Sequence, residues 1–345
     1  MSASPLARIL FAVYVVLIAY ASLYPFQGWR EPGLSPFAFL EQGWPRQILR
    51  FDMAVNVLAY APFGFLCVAA LQPRLRGGVA LGAATLAALL LSLTLEALQS
   101  YLPARFASNL DMACNVAGAA FGAVLAPALL ARLDGLRLRE RLFLPGPDID
   151  FGLVLLALWL FLQLNPATLL FGAGDLRPLL GPPAMRAHAA DFFIRTEAFI
   201  AAANLVAVAL LASLLVAPGQ RLRAMFAALV VAALTVKAVA FALMMQSEAF
   251  AWFTPGAQAG LAAGGAVALA AVALPRTVRL VLAAMLVMAA TVFVNLAAPN
   301  PYLAATLKVW QQGTFLNFNG LTRLVGALWP FAALGYLIFL AARRR

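Results

Sequence analysis

Charge is what this sequence has least of. Asp, Glu, Lys and Arg make up 11% of its 345 residues, against 64% hydrophobic residues, where a soluble domain carries about 25% charged residues. Together with a mean hydropathy of +0.92, this excludes a soluble globular chain. It predicts an all-α, polytopic integral membrane bundle. Histidine occurs once, as His188, and cysteine twice, as Cys67 and Cys114. A metal site needs several such ligands together. Two cysteines inside apolar segments at different depths make no disulfide framework. The sequence therefore implies no metal and no cofactor. It also lacks a Ser-His-Asp pattern and a phosphate-binding glycine loop.

The charge that is present is strongly one-sided, with a net value of +11. The basic residues sit in short clusters between apolar segments, which argues against nucleic acid as a partner. Such clusters set membrane topology and attract anionic lipid headgroups. A span needs about 20 apolar residues. Ten candidate segments lie near 6–24, 52–72, 78–99, 111–131, 151–171, 196–217, 222–246, 257–274, 279–298 and 321–341. The eighth is short and rich in glycine, so nine spans is the alternative.

The connections alternate in charge. One set holds Arg74 and Arg76, then Arg132, Arg137, Arg139 and Arg141, then Arg221 and Arg223, then Arg276 and Arg279; Arg8 and Arg343, Arg344 and Arg345 join it. The other set is longer and carries Trp29, Trp44, Trp252 and Trp310. The positive-inside rule then places both termini in the cytoplasm. Residues 132–150, broken by Pro145-Gly146-Pro147, form a cytoplasmic connection between a four-helix unit, 1–131, and a second unit of about six helices, 151–345.

Against this apolar background, polar residues collect at one level. Asp52 and Asn56 start the second segment, Glu96 and Gln99 end the third, and Asp111 and Asn115 start the fourth, with Arg105 and Asn109 in the turn between. Each helical pair shares a face. An ionised residue at the centre of a span costs roughly 2.5–3.5 kcal/mol, which makes such groups rare and functional by default. Asp111, Asn115, Gly118 and Gly122 continue as one stripe whose glycines permit close helix contact. Pro62 and Gly64 interrupt the second segment, where proline removes a backbone donor and favours a bend. In the second half, Gln163, Asn165, Glu197, Asn204, Lys237, Gln246, Asn295, Asn317, Asn319 and Arg323 also fall toward the outer side. The inner halves hold little polarity beyond Thr85 and Ser213, which argues against a conduction path.

A faint repeat accompanies this pattern. Leu93-Thr94-Leu95-Glu96-Ala97 resembles Leu234-Thr235-Val236-Lys237-Ala238, and Arg50-x-Asp52 resembles Arg195-x-Glu197. The second unit reads as a possible degenerate duplication in which Lys237 replaces the acid. Lys237 itself reads either as a counter-ion for transport or as a snorkelling residue or partner of Glu248.

Residues 10–125 resemble the VanZ-like membrane protein family. The resemblance rests on Tyr20-x-Ser22-Leu23-x-Pro25-Phe26, Asn56 with Pro62-Phe63-Gly64, Glu96-x-x-Gln99, Arg105, and Asp111-x-x-x-Asn115-x-x-Gly118-x-x-x-Gly122. Residues from Trp159 to Arg177 look like those of longer members. The family is named for a protein linked to teicoplanin resistance and has no firmly assigned reaction. The resemblance thus implies a multi-pass protein of the bacterial cytoplasmic (inner) membrane and cell envelope, with no mechanism attached.

Three readings of the cluster follow. As a binding site, Asn56, Gln99, Arg105, Asn109 and Asn115 would recognise a membrane lipid, a lipid-linked cell-wall precursor or a glycopeptide, with Arg105 on a phosphate or carboxylate. As an enzyme, Glu96 and Asp111, with Asp52, would serve as general acid and base on a lipid headgroup. As scaffolding, the same residues would lock helices together. The oligomeric state is left open: the glycine stripe Gly256, Gly260 and Gly264 suits dimerisation and internal packing equally.

Overall fold

The computed structural model describes residues 5–44, 50–181, 188–244, 249–298, 300–301 and 316–343. Gln246, Glu248, Trp310, Arg344 and Arg345 lie outside the described residues. The chain is an all-helical, polytopic membrane protein with a helix at each of the ten expected places. These are α1 (Pro5–Leu23), α2 (Arg50–Leu71), α3 (Gly77–Gln99), α4 (Asn109–Leu136), α5 (Pro147–Leu162), α6 (Ala190–Leu215), α7 (Leu222–Met244), α8 (Pro255–Ala271), α9 (Arg276–Leu296) and α10 (Leu316–Ala342). Eight of them are long and apolar enough to cross a membrane.

The other two are α5, with 16 residues, and α8, with 17. The segment expected at 151–171 begins early, because Pro147 occupies the first helical position behind Gly146, where its missing N–H is no loss. It ends early at Leu162, because Pro166 disfavours helical geometry in Asn165. The chain then folds back on itself: Phe171 N donates to Gln163 Oε1 at 3.1 Å, and Trp159 Nε1 donates to Phe171 O at 3.3 Å. The glycine-rich eighth segment is a helix capped by Thr254, whose hydroxyl accepts from Ala257 N.

The chain divides into two compact units, Met1–Arg141 and Leu142–Arg345. In the first, α2 and α4 make the most extensive helix contact. A Cβ added to Gly64 would collide with the Ala119 backbone, one on Gly118 with Val57, and one on Gly122 with Ala61. The stripe that includes these glycines is a seam of backbone against backbone. Helix α2 runs through Pro62 without interruption. Small side chains extend the packing, with Ala80, Ala84 and Ala88 of α3 and Ala119, Ala123 and Ala126 of α4 all buried. Lipid tails offer no hydrophobic drive for helix association, so such close contacts carry much of it.

In the second unit α6 is the central helix, buried along most of its length and packed against α8 and α9. Gly256, Gly260 and Gly264 of α8 lie against α6, where added Cβ atoms would meet Ile194, Ala198 and Ala202. This stripe serves packing within the chain. Cys67 and Cys114 are free thiols, both buried.

Candidate functional site

At one end of the first unit the starts of α2 and α4 meet the end of α3, and the polar residues divide into two groups. The first group closes α1. The last carbonyls of a helix have no partner within it. Gln99 Nε2 donates to Ser22 O at 2.9 Å, and Arg105 donates through Nε to Tyr24 O and through Nη2 to Ala21 O, both at 3.1 Å. Two side chains from beyond α1 thus satisfy its end, and the Tyr20–Phe26 motif is where they bind. Burial pulls the Arg105 guanidinium below its ordinary pKa, and neighbouring Glu96 opposes that fall. Replacing Arg105 with alanine leaves two carbonyls without their charged donor, and hydrogen bonds of this kind contribute about 1.5–3 kcal/mol each. A lower thermal midpoint is expected, and Arg105→Lys will not restore it, since one ammonium lacks the planar fork.

The second group is carboxylate-rich. Glu96 is buried, and its Oε2 accepts the backbone N–H of Ser108 at 2.8 Å. Ser108 in turn accepts from Asp111 N at 3.3 Å. This reciprocal arrangement starts α4 in the manner of a capping box. Asp111 lies near Asp52, with Asn56 beside it. Deeper in, Asn115 Nδ2 donates to Ser92 Oγ at 3.0 Å. One buried atom here has no hydrogen-bond partner, Asn115 Oδ1; the hydroxyl of Tyr60 lies beside Ser92.

The expected residues are therefore not one constellation. Asp52, Asn56, Glu96, Asp111 and Asn115 come together between α2, α3 and α4. Gln99 and Arg105 attach to α1. Asn109 donates to Gln42 O at 2.7 Å and ties down the connection after α1. Arg105, Ser108 and Asn109 also line a cleft of about 620 Å³ shared with that connection. Sequence reading missed Tyr60, Ser92 and Ser108. A signal existed for two of them: Tyr60 stands one helical turn after Asn56, and Ser92 one turn before Glu96.

Residues 10–131 match the VanZ/LLP1 family model. The N-terminal unit is VanZ-like. No curated protein and no solved structure matches the chain. The match covers four helices of the VanZ-like unit and ends within α4.

The second unit holds its own polar cluster. Lys237 of α7 does not snorkel: it is fully buried, and its Nζ donates to Asn165 O and Thr168 O, each at 2.7 Å. Asn165 Nδ2 donates to Thr322 Oγ1 at 2.7 Å. Glu197 accepts from the Thr254 hydroxyl at 2.7 Å and lies near Lys237. The arrangement parallels that of the VanZ-like unit. Arg105 binds the carbonyl just before Pro25, and Lys237 binds the carbonyl just before Pro166. The interval from Pro25 to Glu96 equals that from Pro166 to Lys237. Gly118 rests on Val57 and Gly264 on Ala202, and these contacts lie equally far beyond Asp52 and Glu197. Lys237, like Arg105, is a cation that donates to the carbonyl just before a proline.

Proposed function

We propose that the VanZ-like unit binds the polar headgroup of an envelope lipid or lipid-linked cell-wall precursor, at the end where Asp52, Glu96 and Asp111 meet. The observation that carries this reading is the unpartnered buried amide oxygen of Asn115. Buried polar groups are nearly always hydrogen-bonded, and each exception calls for a partner. Asn115 lies one helical turn beyond Asp111, which is half-buried beside half-buried Asn56 and exposed Asp52. Three carboxylates and an open amide oxygen suit a ligand rich in donors, namely hydroxyl or amine groups. With two guanidinium nitrogens held by α1, Arg105 keeps further N–H groups for an anionic part of the same headgroup. Under the positive-inside reading of the loops, the site opens to the outer leaflet. The family resemblance supports a bacterial inner membrane as the protein's location, with a glycopeptide as a larger ligand of related chemistry.

The test is native mass spectrometry of lipids retained by gently purified protein. Asn115→Leu keeps the branched shape but removes the orphaned acceptor together with the donor to Ser92; it is expected to lose one defined lipid, with yield measured alongside to register the larger side chain. Asp111→Asn is expected to weaken the same species. Retention of an unchanged lipid profile by both variants would sink the proposal. Accumulation of a ligand on Glu96→Gln would instead favour catalysis by the paired carboxylates Glu96 and Asp111.

A further inference from the structure

The second unit holds a partly open cavity of about 250 Å³ at the junction of α6, α9 and α10 with the turns that follow α5. Its polar lining includes Thr168, Asp175, Arg177, Thr196, Glu197 and Arg323, and its apolar lining includes Ile200 and Val294. The charges match in pairs, with one left over. Asp175 is held by Arg177 through both carboxylate oxygens, at 2.9 and 2.6 Å. Glu197 has Lys237 close by. Arg323 lines the same cavity from the second turn of α10 and forms no ion pair among the described residues.

Arg323 is exposed near the start of its helix, so its guanidinium is open to a ligand, and charged groups of membrane helices normally pair with a counter-charge. The cavity it lines offers space for one. Its volume falls below the roughly 300–1,000 Å³ of pockets that enclose drug-sized ligands, which suits a single headgroup group better than a peptide. We propose that this cavity binds one phosphate group of a phosphate ester, the lipid phosphodiester headgroup being the first source. The planar fork of Arg323 takes two phosphate oxygens side by side. The Thr196 hydroxyl supplies a further donor. The apolar walls accept the glycerol carbons next to the phosphate. One negative charge would answer the guanidinium of Arg323, while Asp175 is bound by Arg177 and Glu197 lies near Lys237. This site is separate from the carboxylate-rich end of the VanZ-like unit and prefers the opposite charge.

The experiment uses full-length, delipidated protein and native mass spectrometry with three probes: dioleoylphosphatidylglycerol, dioleoylglycerol and glycerol 1-phosphate. Wild type is expected to retain one saturable copy of the phosphatidylglycerol and no dioleoylglycerol. Arg323→Ala is expected to weaken retention at least about tenfold, since a hydrogen-bonded charge contributes about that factor. Arg323→Lys will keep part of it. Glycerol 1-phosphate displacing the lipid at equal concentration assigns the site to a soluble phosphate ester. Displacement only in large excess assigns it to the lipid. Should Arg323→Ala fail to fold, Arg323→Gln keeps the side-chain length and carries the same expectation. Equal retention by wild type and a folded Arg323 variant overturns the proposal, as does equal binding of dioleoylglycerol.

Discussion

Replacing Gly118 or Gly122 with leucine is expected to remove nearly all folded protein. A side chain at either position meets backbone, Val57 for Gly118 and Ala61 for Gly122. Backbone cannot rotate away as a flexible side chain can, so α2 and α4 would have to separate along their whole contact. Overpacking normally costs about 1–3 kcal/mol, and a collision with helix backbone lies at or above the top of that range. The separation would also pull Asp111 of α4 away from Asp52 and Asn56 of α2, so that side of the polar cluster would go with the seam. Gly82 of α3 provides the contrast, because a Cβ there meets nothing within 4 Å. Gly82→Ala is expected to be neutral or to stabilise by up to about 1 kcal/mol through helix propensity. Monodisperse yield and thermal midpoint in detergent separate the two. Normal yield of Gly118→Leu would show that the α2–α4 seam is not as close as described.

Lys237→Met is expected to give the second large effect, in the other unit. The ammonium is buried and holds the carbonyls of Asn165 and Thr168. Methionine fills much the same space but donates nothing. Each buried carbonyl that loses its donor costs about 1–3 kcal/mol, and Glu197 loses the positive charge beside it. Glu197→Gln removes the opposite charge yet keeps an acceptor for Thr254, so it should destabilise less. A double variant, Lys237→Met with Glu197→Gln, should cost less than the two single changes added together, because the groups interact. Strict additivity would mean that the pair is not coupled. The turn after α5 should be the first part to open, which hydrogen exchange of residues 163–171 would register.

These predictions mark where sequence reading succeeds and where it stops. All ten helices were legible, with α5 and α8 misjudged only in extent. The early end of α5 follows from Asn165-Pro166, a local signal outweighed in the reading by the apolar run to Phe171. The polar level of α2, α3 and α4 was also legible, since helical spacing puts Asp52 with Asn56 and Asp111 with Asn115. Ser92 and Tyr60 escaped because hydroxyl groups do not stand out in hydropathy, although each lies one turn from a residue that did.

The sequence by itself determined that this is a membrane protein of many helices, with polarity gathered at one end of its first unit and glycines aligned for close packing. It could do so because the rules involved are local. In lipid each span must satisfy its own backbone, and periodicity fixes which residues share a face. Only the tertiary structure decided what Arg105, Gln99 and Lys237 bind. Their partners are main-chain carbonyls at Ala21, Ser22, Tyr24, Asn165 and Thr168. Every residue has such a carbonyl, so an acceptor of this kind leaves no mark in the sequence. It becomes a partner only when a helix ends beside the side chain that reaches it.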